Sequence, residues 1–217
     1  MRSERWILGF DTSAAHCAAA LLRDGAEVET RIDEMARGQA EHLMPMLEDM
    51  LARAGIGWRD LCSIGVGIGP GNFTGVRISV AAARGLALSL GIPAIGVSTL
   101  EARALNAPRP VTVIEDARRG EVYWQSFTDQ GPGAPRLDPV DALPPPGGSL
   151  ILGTGAPAAA GAPAGDARGL APAHPLPRAI ARIADLRAAT PQPRPAPLYL
   201  RGADAAPPAD PPPVILD

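Results

Sequence analysis

Apolar and polar positions in the first hundred residues follow the pattern of a layered α/β unit. Trp6–Phe10 and Cys17–Leu22 are apolar runs and Glu27–Arg31 alternates in polarity, so the three segments predict strands. Short connections join them, which favours an antiparallel meander. Ile64–Ile68 and Ala94–Val97 are two further apolar runs on either side of a helical segment, and they predict a parallel β-α-β unit.

Two segments between these strands carry apolar residues at helical spacing. The first is predicted to begin just before Pro45, because proline is tolerated only in a first turn, and to run to about Ala54. The second is predicted from Val76 to Leu90, with Thr74 as its cap and Gly91 as its end. Three strands, a helix, a strand, a helix and a strand, in that order, predict a ribonuclease H-like half.

The second half is predicted to be a reduced version of the first. Strands are expected at Val111–Ile114, Glu121–Phe127 and Leu150–Leu152, followed by one helix from about Pro177 to Ala189. Twenty of the 25 prolines follow Pro110. This composition predicts fewer regular elements than in the first half.

The expected division of the chain follows this change in composition. Residues 1–105 are predicted to form the first subdomain, 106–201 the smaller second one, and 202–217 a proline-rich tail that is extended or disordered. The segment 156–177 is rich in alanine, glycine and proline and is expected to be loop. Within the later proline-rich stretch, Leu198–Arg201 is the one patterned island and is expected to dock on the body.

Composition excludes several classes of function. The chain has 217 residues, 46% of them hydrophobic, and a net charge of −3, which favours a globular protein that does not grip nucleic acid by itself. All 20 basic residues are arginine, so a Schiff-base lysine and a phosphate-loop lysine are excluded. Cys17 and Cys62 are expected to be reduced core residues. No leader and no run of membrane-spanning length is apparent, so we expect a soluble, cytoplasmic protein.

The loop from Gly69 to Gly75 follows a predicted strand and precedes a predicted helix, at the sheet edge where α/β proteins bind ligands. In one interpretation its N–H groups and the helix N-terminus hold an anion such as a phosphate. In the other, which chemistry alone favours, the glycines only make a tight turn. Similarly, Asp11 could hold a cation or a water, or belong to a polar turn with its neighbours. The candidate ligand-binding residues are Asp11, Gly69, Gly71, Asn72 and Thr74.

Several short motifs together resemble the bacterial TsaB (YeaZ) family. The resemblance extends from about Trp6 to Arg201, although glutamine stands at position 39 where the family usually has histidine. The motifs are Asp11-Thr12-Ser13, Gly38-x-Ala40-Glu41-x-Leu43-x-Pro45, Gly69-Pro70-Gly71-Asn72-Phe73-Thr74-Gly75-Val76-Arg77, Ser98-Thr99-Leu100-Glu101-Ala102, Asp116-Ala117-Arg118-Arg119-x-Glu121-Val122-Tyr123 and Tyr199-Leu200-Arg201.

The resemblance implies an actin-like, sugar-kinase-like (ASKHA) fold of two ribonuclease H-like halves. It also implies a place in the machinery that installs N6-threonylcarbamoyladenosine at tRNA position 37, in tRNAs that read codons beginning with A. In that system TsaD holds the metal and transfers the threonylcarbamoyl group, TsaE is an ATPase, and TsaB is a partner that TsaD needs. The implied partners are therefore TsaD, with TsaE in a ternary complex, tRNA only through that complex, and a second copy of the chain, with no membrane.

The resemblance also implies that this chain is not the catalyst. TsaD has a His-x-x-x-His pair on the similar segment, and Thr99 and Arg103 stand at those two positions here. A guanidinium has no free lone pair to donate to a metal. We therefore expect no catalytic residue, no metal site and no cofactor, and a function in binding.

The implied contact surface is the face of the two helices of the first half. The methionine-rich stripe of the first helix is explained equally well by core packing alone and by core packing plus a partner. A charge at Met46 or Met50 is expected to abolish complex formation while leaving the monomer folded. The predicted interface is centred on Leu43, Met46, Leu47, Met50, Val76 and Val80, with Arg77 and Glu41 nearer the rim.

Two alternatives from other classes stay open. One is an ATPase or small-molecule kinase that uses Asp11, the Gly69–Gly75 loop and Gly153–Gly155 on phosphates. The other is a metallopeptidase-like protein. Arg118 and Arg119 could contact tRNA or TsaE, although surface arginines on a turn are usually only solvated.

Overall fold

Two β-sheets form the framework of the chain, which a computed structural model describes for residues 4–144, 149–156 and 169–201. The strands of the first sheet are β1 (Trp6–Asp11), β2 (His16–Arg23), β3 (Ala26–Glu34), β4 (Leu61–Gly67) and β5 (Ala94–Val97). Their spatial order is β3-β2-β1-β4-β5. The pairs β1–β2 and β2–β3 are antiparallel, and β4 is parallel to both β1 and β5. The predicted meander and β-α-β unit are confirmed.

Helices and short 3₁₀ helices lie between and beyond these strands. The helices are α1 (Gln39–Arg53), α2 (Phe73–Leu90), α3 (Thr99–Ala104) and α4 (Leu176–Arg187), and the 3₁₀ helices are Trp58–Asp60 and Val140–Ala142. Helices α1 and α2 cover one face of the first sheet, where Phe10, Leu47 and Val80 share a core. Helices α3 and α4 cover the opposite face, where Ile7, Val97 and Ile180 share a second core.

Helix α4 approaches the first sheet unusually closely. A Cβ atom on Gly9 of β1 would lie 2.6 Å from the backbone N of Ala181, and one on Gly65 of β4 would lie 2.8 Å from the Cβ of Ala184. Glycine on the strands and alanine on the helix therefore let the two backbones pack together. This packing brings a helix from the end of the second half onto the sheet of the first.

The second sheet combines two longer strands with short ones. The strands are β6 (Val111–Asp116), β7 (Glu121–Thr128), β8 (Gly131–Pro132), β9 (Arg136–Pro139), β10 (Leu150–Leu152) and β11 (Gly169–Leu170). Strand β11 corrects the expectation that 156–177 is only loop, while the calls on 157–168 and on the tail at 202–217 lie outside the described residues. The proposed subdomain limits stay a prediction.

The start of α1 differs from the prediction. The helix begins at Gln39, so Pro45 lies in its second turn rather than its first. The missing N–H of Pro45 leaves the carbonyl of Glu41 without its helical donor, and both residues are exposed, so water can satisfy that carbonyl. Burial of the flanking Leu43 and Met46 offsets the cost of the proline.

Two smaller expectations are also corrected. Asn72, not Thr74, caps α2, and its side-chain oxygen accepts a hydrogen bond from the Gly75 N–H at 2.9 Å. Cys17 is buried as expected, but Cys62 is exposed. The register between β1 and β4 shifts at this point, which leaves Cys62 without a paired residue on β1.

Candidate functional site

The glycine loop and the polar turn after β1 pack directly against each other. A Cβ atom on Gly71 would lie 2.4 Å from the Ser13 carbonyl oxygen, and one on Gly75 would lie 1.9 Å from the Thr12 carbonyl oxygen. The Asn72 N–H donates to the Ser13 carbonyl at 2.7 Å, and the Thr12 hydroxyl donates to the Gly75 carbonyl at 2.6 Å. These glycines are therefore needed for close packing at the carboxyl edge of the sheet.

The Asp11 carboxylate is fully buried at the end of β1. Its Oδ1 accepts from the Ser13 N–H at 3.0 Å and the Ser13 hydroxyl at 2.9 Å, and lies 2.8 Å from Nε2 of His16. Its Oδ2 has no hydrogen-bond partner among the described residues and faces Gly67, where a Cβ would be 1.9 Å away. The polar-turn interpretation of Asp11 is therefore supported, and one carboxylate oxygen is left as an acceptor.

Two of the loop's backbone donors are used within the fold. The Asn72 N–H and the Gly75 N–H both have internal partners, as given above. Gly69 adopts a left-handed conformation, with φ of 86°, and its carbonyl accepts from the Thr99 N–H at 2.8 Å. Thr74 is exposed in the first turn of α2. Anion or nucleotide binding by the five candidate residues stays a prediction.

Residues 195–201, here called the C-terminal strap, lie against the same edge of the sheet. The Leu198 N–H donates to the Ile68 carbonyl at 2.8 Å, directly after β4. The Leu198 carbonyl oxygen would lie 3.5 Å from a Cβ atom on Gly69, and the Cα of Pro195 would lie 3.5 Å from a Cβ atom on Gly96. The prediction that Leu198–Arg201 docks on the body is confirmed, and the strap partly covers the edge where a ligand would enter.

The Gly153–Gly155 loop of the second half also forms its hydrogen bonds within the fold. The Thr154 hydroxyl donates to Oε2 of Glu115 at 2.8 Å and accepts from the Asp116 N–H at 3.0 Å. A Cβ on Gly153 would lie 2.2 Å from the Ile114 carbonyl oxygen. As with the first loop, tight packing accounts for the glycine.

The two positions that the resemblance compares with metal ligands have other contacts here. The Thr99 hydroxyl donates to the Pro70 carbonyl at 3.0 Å, and Nε of Arg103 lies 3.1 Å from Oε1 of Glu115. Within 4–144, 149–156 and 169–201, no group of three or more histidine, cysteine, aspartate or glutamate side chains is placed to hold a metal ion.

The six residues of the predicted interface all lie in the core of the monomer. Each is at most 3% exposed: Leu43, Met46, Leu47, Met50, Val76 and Val80. They pack α1 and α2 onto the first sheet. The chain's own sheet therefore covers the methionine-rich stripe, part of which the sequence interpretation had assigned to a partner. The assignment of these side chains to a docking surface, and the expectation that a charge there leaves the monomer folded, are therefore corrected.

The outward sides of the same helices carry a different set of residues, which we call the two-helix face. On α1 the exposed stripe is Glu41, Pro45, Glu48 and Ala52, and on α2 the exposed residues that belong to this face are Phe73, Arg77, Ala81, Arg84, Gly85 and Leu88. Leu88 is 82% exposed and Phe73 is 47% exposed. Sequence reasoning missed both, although α2 is apolar around most of its circumference, which is a signal of a helix with more than one packing surface.

Helix α2 is the one helix of the described segments that is long and apolar enough to resemble a membrane span. Five of its 18 residues are buried against the first sheet: Gly75, Val76, Ser79, Val80 and Ala83. Helices that pack in the core of soluble proteins meet the same criterion of length and composition. Its remaining apolar surface is of the kind that marks contact with another protein.

Comparison with known proteins gives the family. A family model described as TsaD, tRNA N6-adenosine threonylcarbamoyltransferase, matches residues 33–137. The chain is 40% identical to the tRNA threonylcarbamoyladenosine biosynthesis protein TsaB of Escherichia coli (strain K12) over 126 residues, which are 56% of this chain and 54% of that protein. It thus spans about half the length of the curated relative named TsaB.

Two matches extend over nearly the whole chain. An uncharacterized protein of Mycobacterium tuberculosis (strain ATCC 25618 / H37Rv) is 35% identical over 207 residues, which cover 93% of this chain and 94% of that protein. The solved structure of YeaZ from Pseudomonas aeruginosa matches with a TM-score of 0.71 and 30% identity, over 90% of this chain and all of that one. With the observed sheet order, this match confirms the predicted actin-like α/β fold. The chain belongs to the TsaB (YeaZ) family.

Proposed function

We propose that this chain is a non-catalytic partner of TsaD in the N6-threonylcarbamoyladenosine modification of tRNA position 37, acting together with TsaE. Relatives named for this biosynthesis support the proposal. The observation that carries it concerns Thr99 and Arg103, the two positions compared with the metal-binding histidines of TsaD. The Thr99 hydroxyl is hydrogen-bonded to a backbone carbonyl, and Arg103 forms an ion pair with Glu115. Neither side chain is available to hold a metal, which leaves binding as the contribution of this chain.

The two-helix face is the surface that we assign to TsaD. Apolar Phe73 and Leu88 supply area whose burial is favourable at about 25 cal/mol per Å², with much of the gain offset by the cost of association. The α1 stripe carries the acidic Glu41 and Glu48, and the α2 stripe carries the basic Arg77 and Arg84. Both pairs have a spacing of seven residues, so each lies along one side of its helix.

This arrangement of charge is complementary to a related face turned by a two-fold rotation. In such a pairing the acidic stripe of one protein meets the basic stripe of the other. The TsaD family model matches residues 33–137, a range that includes both helices. A TsaD-family protein is therefore the partner whose surface best suits this face, and a second copy of the chain would compete for it.

Reconstitution of the modification tests the proposal. TsaD and TsaE of the same organism, tRNA and a threonylcarbamoyl-adenylate donor are combined with and without this chain, and modified adenosine is measured by mass spectrometry of nucleosides. We expect modification only when the chain is present, and none when the chain is incubated with donor and tRNA alone. Transfer by the isolated chain, or full modification without it, would overturn the proposal.

A second candidate is nucleotide binding, and one observation favours it. Among the described residues, Oδ2 of Asp11 is a buried acceptor without a partner, at the sheet edge where α/β proteins bind ligands. Calorimetric titration of the pure chain with magnesium and ATP separates this candidate from the first. Tight binding with turnover in the absence of partners would favour the ATPase alternative.

A further inference from the structure

An arginine between two exposed aromatic rings marks the beginning of α2. The guanidinium of Arg77 lies 3.7 Å from the centroid of the Phe73 ring and 5.7 Å from that of Tyr199. Its Nε–H donates to the Tyr199 hydroxyl oxygen at 2.7 Å, and the two ring centroids are 5.0 Å apart. Phe73 and Tyr199 are 47% and 45% exposed, so the cluster faces solvent.

Tyr199 reaches this cluster because the C-terminal strap is fixed on both sides of it. Before it, the Leu198 N–H is bonded to the Ile68 carbonyl of the first half. After it, Arg201 donates to the Ala117 carbonyl at 3.0 Å and is paired with Glu121 in the second half. Tyr199 is therefore held in place by contacts to both halves, and it supplies a side chain to a helix 122 residues earlier in the chain.

The two terminal amino groups of the Arg77 guanidinium are the part of this side chain that is left to bind a partner. Stacking and the hydrogen bond occupy its ring-facing surface and its Nε–H. Among the described residues, no carboxylate lies within ion-pair distance of Arg77, which leaves the two terminal amino groups of the guanidinium. Two parallel N–H donors in a fixed orientation match the two oxygens of a carboxylate.

We propose that Arg77 anchors the two-helix face by binding an aspartate or glutamate side chain of TsaD, and that Tyr199 is the positioning residue that holds Arg77 for this contact. The proposal rests on the function proposed above and deepens it. Arginine and tyrosine are among the residues that dominate binding energies at protein interfaces. Holding the guanidinium in advance lowers the side-chain entropy lost on binding.

The surroundings favour a protein carboxylate over a nucleic-acid phosphate. Glu41 and Glu48 on the neighbouring α1 stripe would repel a continuous line of phosphates, and the whole chain carries a net charge of −3. A folded partner can place a carboxylate at Arg77 and basic or apolar groups at α1. The exposed Phe73 ring beside Arg77 supplies apolar area of the kind found at the centre of protein interfaces.

Binding of purified TsaD by variants of this chain tests the proposal, with the dissociation constant measured by calorimetry. Arg77→Ala is expected to weaken binding by roughly thirtyfold, and Tyr199→Phe, which keeps the ring but removes the acceptor oxygen, by roughly fivefold. The matched control is Arg136→Ala, because Arg136 is also an exposed arginine over an aromatic ring, 5.6 Å from the Trp124 centroid, but lies on β9. It is expected to leave TsaD binding unchanged.

The double variant distinguishes positioning from general structural support. If Tyr199 acts through Arg77, Tyr199→Phe has almost no further effect once Arg77 is alanine, and the loss caused by Arg77→Ala becomes smaller as salt is raised. Additive losses would overturn the role given to Tyr199, and unchanged TsaD binding by Arg77→Ala would overturn the anchor. Failure of the wild-type chain to bind TsaD would instead overturn the proposed function itself.

Discussion

Gly75 lies so close to Thr12 that a Cβ atom on this glycine would be 1.9 Å from the Thr12 carbonyl oxygen. The contact joins the first turn of α2 to the polar turn after β1, and neither backbone can move away without losing the hydrogen bond from the Thr12 hydroxyl to the Gly75 carbonyl. We predict that Gly75→Ala lowers the free energy of unfolding by about 1–3 kcal/mol, measured by urea denaturation.

Gly85 in the same helix provides the matched control. A Cβ atom there would meet nothing within 4 Å, and Gly85 is in the helix interior, so Gly85→Ala is expected to raise the free energy of unfolding by about 0.5–1 kcal/mol. A similar change of stability in both variants would show that the contact of Gly75 with Thr12 does not decide the effect.

The two cysteines should differ sharply in reactivity. Burial raises the pKa of the Cys17 thiol to about 11, and the nearby carboxylates Asp33 and Asp11 add to the rise, whereas Cys62 is exposed. Because the thiolate is the reactive form, iodoacetamide at pH 8 is expected to modify the folded chain once, at Cys62. Intact-mass spectrometry should show one adduct in buffer and two in denaturant, and Cys62→Ser should remain unmodified when folded. Rapid modification of Cys17 in the folded chain would contradict the burial.

Asp33 should make the stability of the folded chain depend on pH in the acidic range. Hydrogen bonds from Arg31, the largest cause, and a contact with His42 hold the pKa of the Asp33 carboxyl below its ordinary value. A carboxyl whose folded-state pKa is lowered contributes stability above its unfolded pKa of about 3.9 and loses it as the pH falls through the folded-state pKa. Asp33→Asn is therefore expected to lower the free energy of unfolding by about 1 kcal/mol at pH 5. This difference from the wild type should shrink below about pH 4.

The control for this measurement is Asp129→Asn, because Asp129 is exposed on the turn after β7. Its stability should stay within about 0.5 kcal/mol of the wild type at each pH. If the difference caused by Asp33→Asn were the same at pH 3 and pH 5, the ion pairs with Arg31 and His42 would not be the source of the effect.

Met50 and Leu88 separate the core from the proposed docking surface. Met50 is fully buried, so Met50→Ala is expected to lower the free energy of unfolding by about 2–5 kcal/mol. Leu88 is 82% exposed, so Leu88→Asp should lower that free energy by only about 0.5–1 kcal/mol, through weaker helix propensity and a negative charge in the last turn of α2, while weakening the binding of TsaD. A Leu88→Asp chain that is stable and binds TsaD as tightly as the wild type would exclude this part of α2 from the interface.

The first sheet could be predicted from the sequence because its information is local. Apolar runs of strand length, joined by short turns, predict the meander, and Gly91 with Pro93 predicts the end of α2. Helix periodicity also identified the buried stripe correctly. It could not say what covers that stripe, and residues such as Met46 were therefore assigned to a partner when the chain's own sheet covers them.

The remaining features depend on tertiary placement, which no local pattern encodes. Pro45 is tolerated because neighbouring side chains are buried by the sheet, and the exposure of Cys62 follows from a register shift between two strands far apart in sequence. The contact between Arg77 and Tyr199 requires the strap to cross the sheet edge. Sequence reasoning predicted that the strap docks but could not say where.

The close packing of α4 on Gly9 and Gly65 has a consequence for how the molecule is made. On the ribosome, β1 to β5 emerge some eighty residues before Leu176–Arg187, and until then the apolar side chains of Ile7 and Val97 lack the part of their cover that α4 supplies. A fragment of residues 1–105 is accordingly expected to aggregate on expression, and to become soluble when a peptide containing α4 is supplied, as light scattering would show. A nascent chain of this protein must therefore keep its first sheet from other polypeptides until its last helix has been synthesised.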